Sequence, residues 1–293
     1  MVNRIINGRA KFPFILNIEL TDYCPLNCKQ CYKNAKTTFI EWERLVQLIN
    51  EAHAIGTRKI LLSGGEPLTY PYLIDALSLI KEKGIYVCIS TGGCGLDEYL
   101  ANNLKNSGID DIFISLNGST REINMLSRDG YNKAVHAMEL LASMHIAYRI
   151  NWVARKDNLD DFEKLIDFCK LKKAVGIEVL SNKPNYKGYV DSPLDKKQLY
   201  QLAEICKANS DYVQYQTCFI QLDRLLRSTN SFFKGCLAGK ASMAVFADGT
   251  FSICPHLYTG DTYQRIRDFW NDCKCDKQIS CSGGEEFYAE VKV

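Results

Sequence analysis

The sequence has almost no excess of charge: 36 Lys and Arg stand against 34 Asp and Glu, a net of +2 over 293 residues. There is no basic field to hold nucleic acid and no acidic tail to act as a solvating segment. Long apolar runs are also missing; those present, such as Ile85 to Ile89, are strand-length and far short of a bilayer span. The start, Met1-Val2-Asn3-Arg4, lacks the basic-then-apolar pattern of a secretion signal. No Pro/Ser-rich linker, internal repeat or low-complexity tract interrupts the chain. These absences predict a cytoplasmic protein with neither nucleic-acid nor membrane partners, built as one large domain plus a small one.

Cysteine, by contrast, is abundant, with 13 in the chain. In a reducing compartment such a count points to metal binding before a disulfide framework, in an organism or condition poor in oxygen. Cys24, Cys28 and Cys31 fall at C-x3-C-x2-C spacing just after the apolar run Ile15 to Leu20, and Tyr32 follows them. Three thiolates on a short loop can converge on one soft metal centre, either an iron–sulfur cluster or zinc. A structural zinc site closes with four protein ligands, whereas three cysteines leave a position open for something that reacts.

From about residue 15 to 181, strand-like runs alternate with helical periodicity. The expected strands are Ile15 to Leu20, Lys59 to Ser63, Ile85 to Ser90, Ile112 to Leu116, Ile146 to Val153 and Ile177 to Leu180. Helices are expected behind the cysteine loop (Trp42 to Ala52, ended by Gly56), around Leu73 to Ile80, and around 97–106, 131–144 and 159–171. Six strand–helix units imply a parallel sheet with right-handed crossovers, either doubly wound or an incomplete barrel. In both, reactive groups gather at the carboxyl ends of the strands. Those ends carry Gly64-Gly65-Glu66-Pro67, Ser90-Thr91-Gly92-Gly93 and Ser115-Leu116-Asn117-Gly118. After about residue 182 the alternation stops, and Leu199, Leu202 and Ile205, then Leu222, Leu225 and Leu226, suggest two bridging helices.

The cysteine spacing with its aromatic, together with Gly-Gly-Glu-Pro after the second strand, resembles the radical S-adenosylmethionine (SAM) superfamily. The resemblance implies a partial (β/α)6 TIM-like barrel over residues 1–184. It also implies a [4Fe-4S] cluster on Cys24, Cys28 and Cys31, with SAM on the fourth iron, cleaved on reduction to a 5′-deoxyadenosyl radical that abstracts a substrate hydrogen. Gly64, Gly65, Glu66 and Pro67 would meet the amino group of SAM. Thr91, Ser115, Asn117, Arg128, Asn151 and Val153 match further family positions near SAM or substrate, and Asn117 stands where Asp is usual. Cys94 and Cys218 are candidate hydrogen-atom donors. Cys88, Cys169 and Cys206 read as small core residues.

The last fifth of the chain holds Cys236, Cys254, Cys273, Cys275 and Cys281. Ala244 to Ala247 and Thr250 to Cys254 read as a hairpin around Asp248-Gly249. A zinc ribbon fits two separated cysteine groups. Cys236, Gly249 and Cys254 also resemble the opening of the SPASM and twitch extensions of radical SAM proteins, which bind auxiliary [4Fe-4S] clusters. The remaining pattern departs from theirs: Cys273-x-Cys275 is one residue short, and Glu285 stands at the last cysteine. At least one auxiliary cluster is implied, in a module at 236–293 joined through 185–235.

Enzymes of this layout draw electrons from an external reductant such as flavodoxin or ferredoxin, and the resemblance implies either a peptide or a small sugar or cyclitol as substrate. With about fifteen residues before the first strand, a peptide would need a separate leader-peptide-binding protein or the module itself to recruit it. The reading from another class is a non-catalytic iron–sulfur or zinc scaffold.

Overall fold

A computed structural model describes residues 5–6, 9–33, 37–183, 193–226 and 236–273. Cys275, Cys281 and Glu285 lie outside the described residues. The chain forms two compact units. The first collects 1–25, 35–112 and 237–278; the second collects 26–34, 113–236 and 279–293.

The chain opens with a two-stranded antiparallel pair, β1 (Ile5–Ile6) and β2 (Arg9–Ala10). It continues through β3 (Ile15–Thr21), α1 (Trp42–Ile55), β4 (Lys59–Gly64), α2 (Leu73–Glu82), β5 (Tyr86–Thr91) and α3 (Glu98–Asn106). At the passage between the units stands β6 (Asp111–Ser115). The second unit then runs α4 (Arg121–Met125), α5 (Tyr131–Ser143), β7 (Arg149–Ala154), α6 (Phe162–Leu171), β8 (Ile177–Ser181), α7 (Lys196–Ala208), β9 (Val213–Tyr215) and α8 (Ile220–Leu226). The first unit resumes with β10 (Ser242–Val245), β11 (Phe251–Ser252) and α9 (Ile266–Asp272).

In the first unit β3, β4 and β5 pair in parallel. Leu16, Ile18, Leu20, Ile60, Leu62, Val87 and Ile89 are completely buried, as are Leu45, Leu48, Ile49 and Ala52 of α1. Near-continuous apolar strands are what a parallel sheet covered on its faces requires. Gly56 ends α1 at φ +91°, a left-handed cap that a side chain resists. The expected hairpin around Asp248-Gly249 forms, with Val245 opposite Phe251. Less expected is its place: β10 lies parallel to β3, Ser242 beside Ile15 and Val245 beside Ile18. Asn17 Nδ2 seals that seam by donating to the Met243 carbonyl at 3.0 Å.

In the second unit β6, β7, β8 and β9 are all parallel. The predicted fifth strand begins at Arg149 and not at Ile146. The Ile146 amide still caps α5 by donating to Leu141, and His145 takes φ 57° to make the turn. β9 escaped prediction because three residues carry too little alternation to register. Trp152 and Phe162 stack at 3.9 Å between centroids and 12° between planes, both fully buried. Trp152→Ala is expected to cost about 3–5 kcal/mol of unfolding free energy, read as a lower urea midpoint.

Candidate active site

In the first unit the turn after β4 is pressed against the backbone leading into the cysteine segment. The Gly65 amide donates to the Thr21 carbonyl at 2.6 Å, and the Glu66 amide to the Tyr23 carbonyl at 2.8 Å. A Cβ on Gly64 would fall 2.2 Å from the Thr21 oxygen, and one on Gly65 would fall 2.0 Å from the Tyr23 oxygen. The glycines are thus demanded by the protein's own backbone, whatever ligand also approaches.

Glu66 is completely buried. Its Oε1 accepts from the Thr91 hydroxyl and from the Leu68 amide at 3.3 Å, and its Oε2 accepts from the Gly92 amide at 2.8 Å. Thr91, 2% exposed, also accepts from the Gly93 amide. This carboxylate therefore braces the turn after β4 against the turn after β5. Of Gly-Gly-Glu-Pro, only Gly64 and Gly65 keep partial exposure. Burial pushes the Glu66 carboxyl above its usual range, and the bonds from Thr91, Gly92, Leu68 and Cys94 oppose that in part.

Cys24 belongs to the first unit and is half-buried; Cys28, buried, and Cys31, half-buried, belong to the second. In the second unit the Cys31 amide donates to the Cys28 carbonyl at 3.2 Å, closing a tight turn. That turn is held by the loop after α4. The Gln30 amide donates to the Ser127 carbonyl at 3.1 Å, and the Asn27 amide to Asp129 Oδ2 at 3.3 Å. Gly130 sits so close to Leu26 that a Cβ would lie 2.8 Å from its side chain.

Asn117, 1% exposed, is the hub of this arrangement. Its Nδ2 donates to Gln30 Oε1 and to Ser127 Oγ, both at 2.8 Å, while its Oδ1 accepts from the Val153 amide at 3.1 Å. Its own amide donates to Asn124 Oδ1, and its carbonyl accepts from Asn158 Nδ2. An amide can both donate and accept here, which gives a physical reason for Asn where Asp is usual. Asn124, Ser127 and Asn158 went unrecognised in the sequence, since nothing in their spacing marks buried polar partners.

Arg128 lies on the same loop, and its Nε is buried without a hydrogen-bond partner. Ser115 and Asn151 stand side by side in register on β6 and β7, both half-buried, as are Val153 and Tyr32. Cys94 is buried at 6% exposure, whereas Cys218 is half-buried with its Sγ 3.4 Å from Gln216 Oε1. Burial pushes the Cys218 thiol up; Lys183 opposes this and Cys236 and Glu178 add to it. Cys88, Cys169 and Cys206 are core residues, as expected, and burial raises the Cys206 thiol to about 12.

Among the described residues, no three His, Cys, Asp or Glu side chains stand together as a ready metal group. The donor chemistry nonetheless fits an iron–sulfur cluster: Cys24, Cys28 and Cys31 supply three thiol sulfurs from one short segment. The orphaned Arg128 Nε fits an anionic group such as the SAM carboxylate. In the C-terminal part Cys254 is buried, and Cys236 and Cys273 are half-buried.

Asn117→Asp, which replaces the Nδ2 donor with an acceptor facing Gln30 Oε1, should lower unfolding free energy by about 1–3 kcal/mol in urea denaturation. Glu66 holds its proton to a higher pH when folded than when unfolded. Its contribution is therefore complete below the usual carboxylate range and is lost as pH rises through the folded value. The stability of the wild type relative to Glu66→Gln should fall as pH rises above the usual carboxylate range; a flat difference would contradict the raised carboxyl.

Residues 18–169 match the family described as the Radical SAM superfamily. The chain is 24% identical to the AdoMet-dependent heme synthase of Methanosarcina barkeri, over 91% of this chain and 84% of that protein. It is 31% identical to the PqqA peptide cyclase of Ruegeria pomeroyi, over 54% of this chain but only 44% of that one. Its fold matches Streptococcus suis SuiB bound to precursor peptide SuiA, with TM-score 0.76 and 19% identity, over 90% of this chain and 66% of that chain. The parallel α/β sheet is thus of the kind found in the partial barrels of these enzymes, followed here by a cysteine-rich C-terminal part. Among the described residues no helix is long and apolar enough to cross a membrane. With the cysteine segment, the glycine turn and more than half of the chain in agreement, the protein belongs to the radical SAM superfamily and is a radical SAM enzyme.

Proposed function

We propose that the enzyme abstracts a hydrogen atom from a peptide substrate, as part of a post-translational modification. The observation that carries the site assignment is the buried, unbonded Arg128 Nε on a loop clamped to the cysteine segment through Ser127, Gln30 and Asn117. In this reading Cys24, Cys28 and Cys31 hold three irons of a [4Fe-4S] cluster. Arg128 takes the SAM carboxylate, the Gly64-Gly65 backbone takes its amino group, and Ser115, Asn151 and Val153 line the nucleoside. A cluster and SAM held by these residues would supply the radical chemistry for hydrogen abstraction. Glu66, Thr91 and Asn117 keep the turns and the cysteine segment in place. Cys94 and Cys218 are the candidate thiols for hydrogen-atom return.

Cys236, Cys254 and Cys273, with Cys275 and Cys281, would serve an auxiliary [4Fe-4S] cluster in the 236–293 module, and a flavodoxin or ferredoxin would supply electrons. The peptide reading is supported by the named activity of the cyclase and by the peptide bound to SuiB. A small-molecule substrate is the second reading, favoured by the longer match to the heme synthase. After anaerobic reconstitution, about eight irons per chain are expected, falling to about four when Cys24, Cys28 and Cys31 are all replaced by Ala, with 5′-deoxyadenosine formation lost. Incubation with a mixed-sequence synthetic peptide pool should shift the mass of some members; SAM cleavage without any such change would favour the small-molecule reading.

A further inference from the structure

Arg9, on β2, reaches the cysteine-rich part of the first unit and makes more contacts there than a surface arginine needs. Its Nε donates to the Gly239 carbonyl at 2.9 Å, and its Nη2 donates to the Trp270 carbonyl and to Cys273 Sγ, the latter at 3.0 Å. The guanidinium carbon lies 4.7 Å from the centre of the Trp270 ring. That ring is itself pinned to the same strand, because Trp270 Nε1 donates to the Ala10 carbonyl at 3.1 Å. Trp270 is 2% exposed. The guanidinium is thus fixed by two carbonyls and a ring face while its Nη2 also meets the Cys273 sulfur, which itself lies 3.4 Å from the Trp270 carbonyl oxygen.

We propose that Arg9 is a positioning residue for the iron–sulfur centre that Cys273 serves, orienting the Cys273 sulfur and raising that centre's reduction potential. The proposal rests on the reading of Cys273 as an auxiliary-cluster ligand. Reduction adds negative charge to a cluster. A fixed positive charge and an N–H···S bond therefore stabilise the reduced form more than the oxidised form. Lysine cannot substitute fully, because one ammonium cannot span the Gly239 and Trp270 carbonyls, stack on the ring and still reach the sulfur. The structure places this arginine some 260 residues upstream of its sulfur, so no local cysteine pattern would reveal it.

The test uses the full chain with Cys24, Cys28 and Cys31 replaced by Ala, so that only C-terminal iron remains after reconstitution. Iron per chain and the midpoint potential, from a titration followed by electron paramagnetic resonance, are compared for the parent, Arg9→Gln, Arg9→Lys and Cys273→Ala. The expected result is that Arg9→Gln keeps its iron with a more negative midpoint, Arg9→Lys lies between it and the parent, and Cys273→Ala loses iron or changes spectrum. An unchanged midpoint in Arg9→Gln, with Cys273→Ala altered, overturns the role of Arg9 and leaves Cys273 as a ligand. Parent-like iron and spectrum in Cys273→Ala overturn the ligand reading itself. If Arg9→Gln fails to fold, Arg9→Lys decides by the same titration, and a parent midpoint there overturns the proposal.

Discussion

The first unit depends on a backbone-to-backbone contact at Gly64 and Gly65. Two carbonyls, from Thr21 and Tyr23, come so near these residues that no side chain fits. The strand that ends at Thr21 and the strand that ends at Gly64 are thereby locked at the point where the chain enters the cysteine segment. Glu66 is completely buried beside that fixed turn, and its two oxygens must find donors within the protein. Thr91, Gly92 and Leu68 supply them. A carboxylate whose motif points to SAM is, in the fold, a brace between two strand ends, and in the proposed site binding passes to the backbone around it.

The second unit solves the same problem with neutral groups. The turn from Cys28 to Cys31 has little apolar surface of its own to fix it, and a loop proposed to bear cluster ligands must be held in place. Asn117 holds it through the Gln30 side chain, and Ser127 holds it through the Gln30 backbone amide. Asn117, Asn124 and Ser127 are each about 1% exposed, so their bonds are made where loss is costly. Arg128 differs in that its Nε has no partner. Within a network that satisfies its neighbours so thoroughly, that unused donor is a reason to expect an anion there.

The elements that could be read from the sequence were those whose physics is local. Near-continuous apolar strands, helical periods and the Gly56 cap came out within a few residues, because burial on a parallel sheet and a left-handed cap leave direct marks on composition. The cysteine spacing and Gly-Gly-Glu-Pro were equally plain. The hidden features were those made by a long-range meeting. The Asn117–Gln30 bond joins residues 87 apart, the β10–β3 pairing joins residues more than 220 apart, and Asn124 or Asn158 looks in sequence like any turn residue. Even Glu66, plain in its motif, shows its bracing role only once its donors are known.

The pairing of β10 with β3 shows why the cysteine-rich part is not a bead on a string. A parallel sheet whose first strand is left open presents unpaired amides and carbonyls at its edge. Here that edge of β3 is covered by Ser242–Val245, and the hairpin partner β11 is covered in turn by aromatic packing of Phe251 with Phe269 and Tyr263. Arg44 of α1 lies over Phe251 and donates to the carbonyls of Tyr263 and Gln264, while Glu51 of the same helix accepts from the amides of Ile266 and Arg267 at the start of α9. The carboxylate at the amino end of α9 and the guanidinium on the preceding carbonyls match the polarity of the groups they meet. Cys273 comes directly after α9. Its sulfur therefore takes its position from the sheet and α1, not from the cysteine-rich segment alone, and a centre built on it would inherit the rigidity of the core.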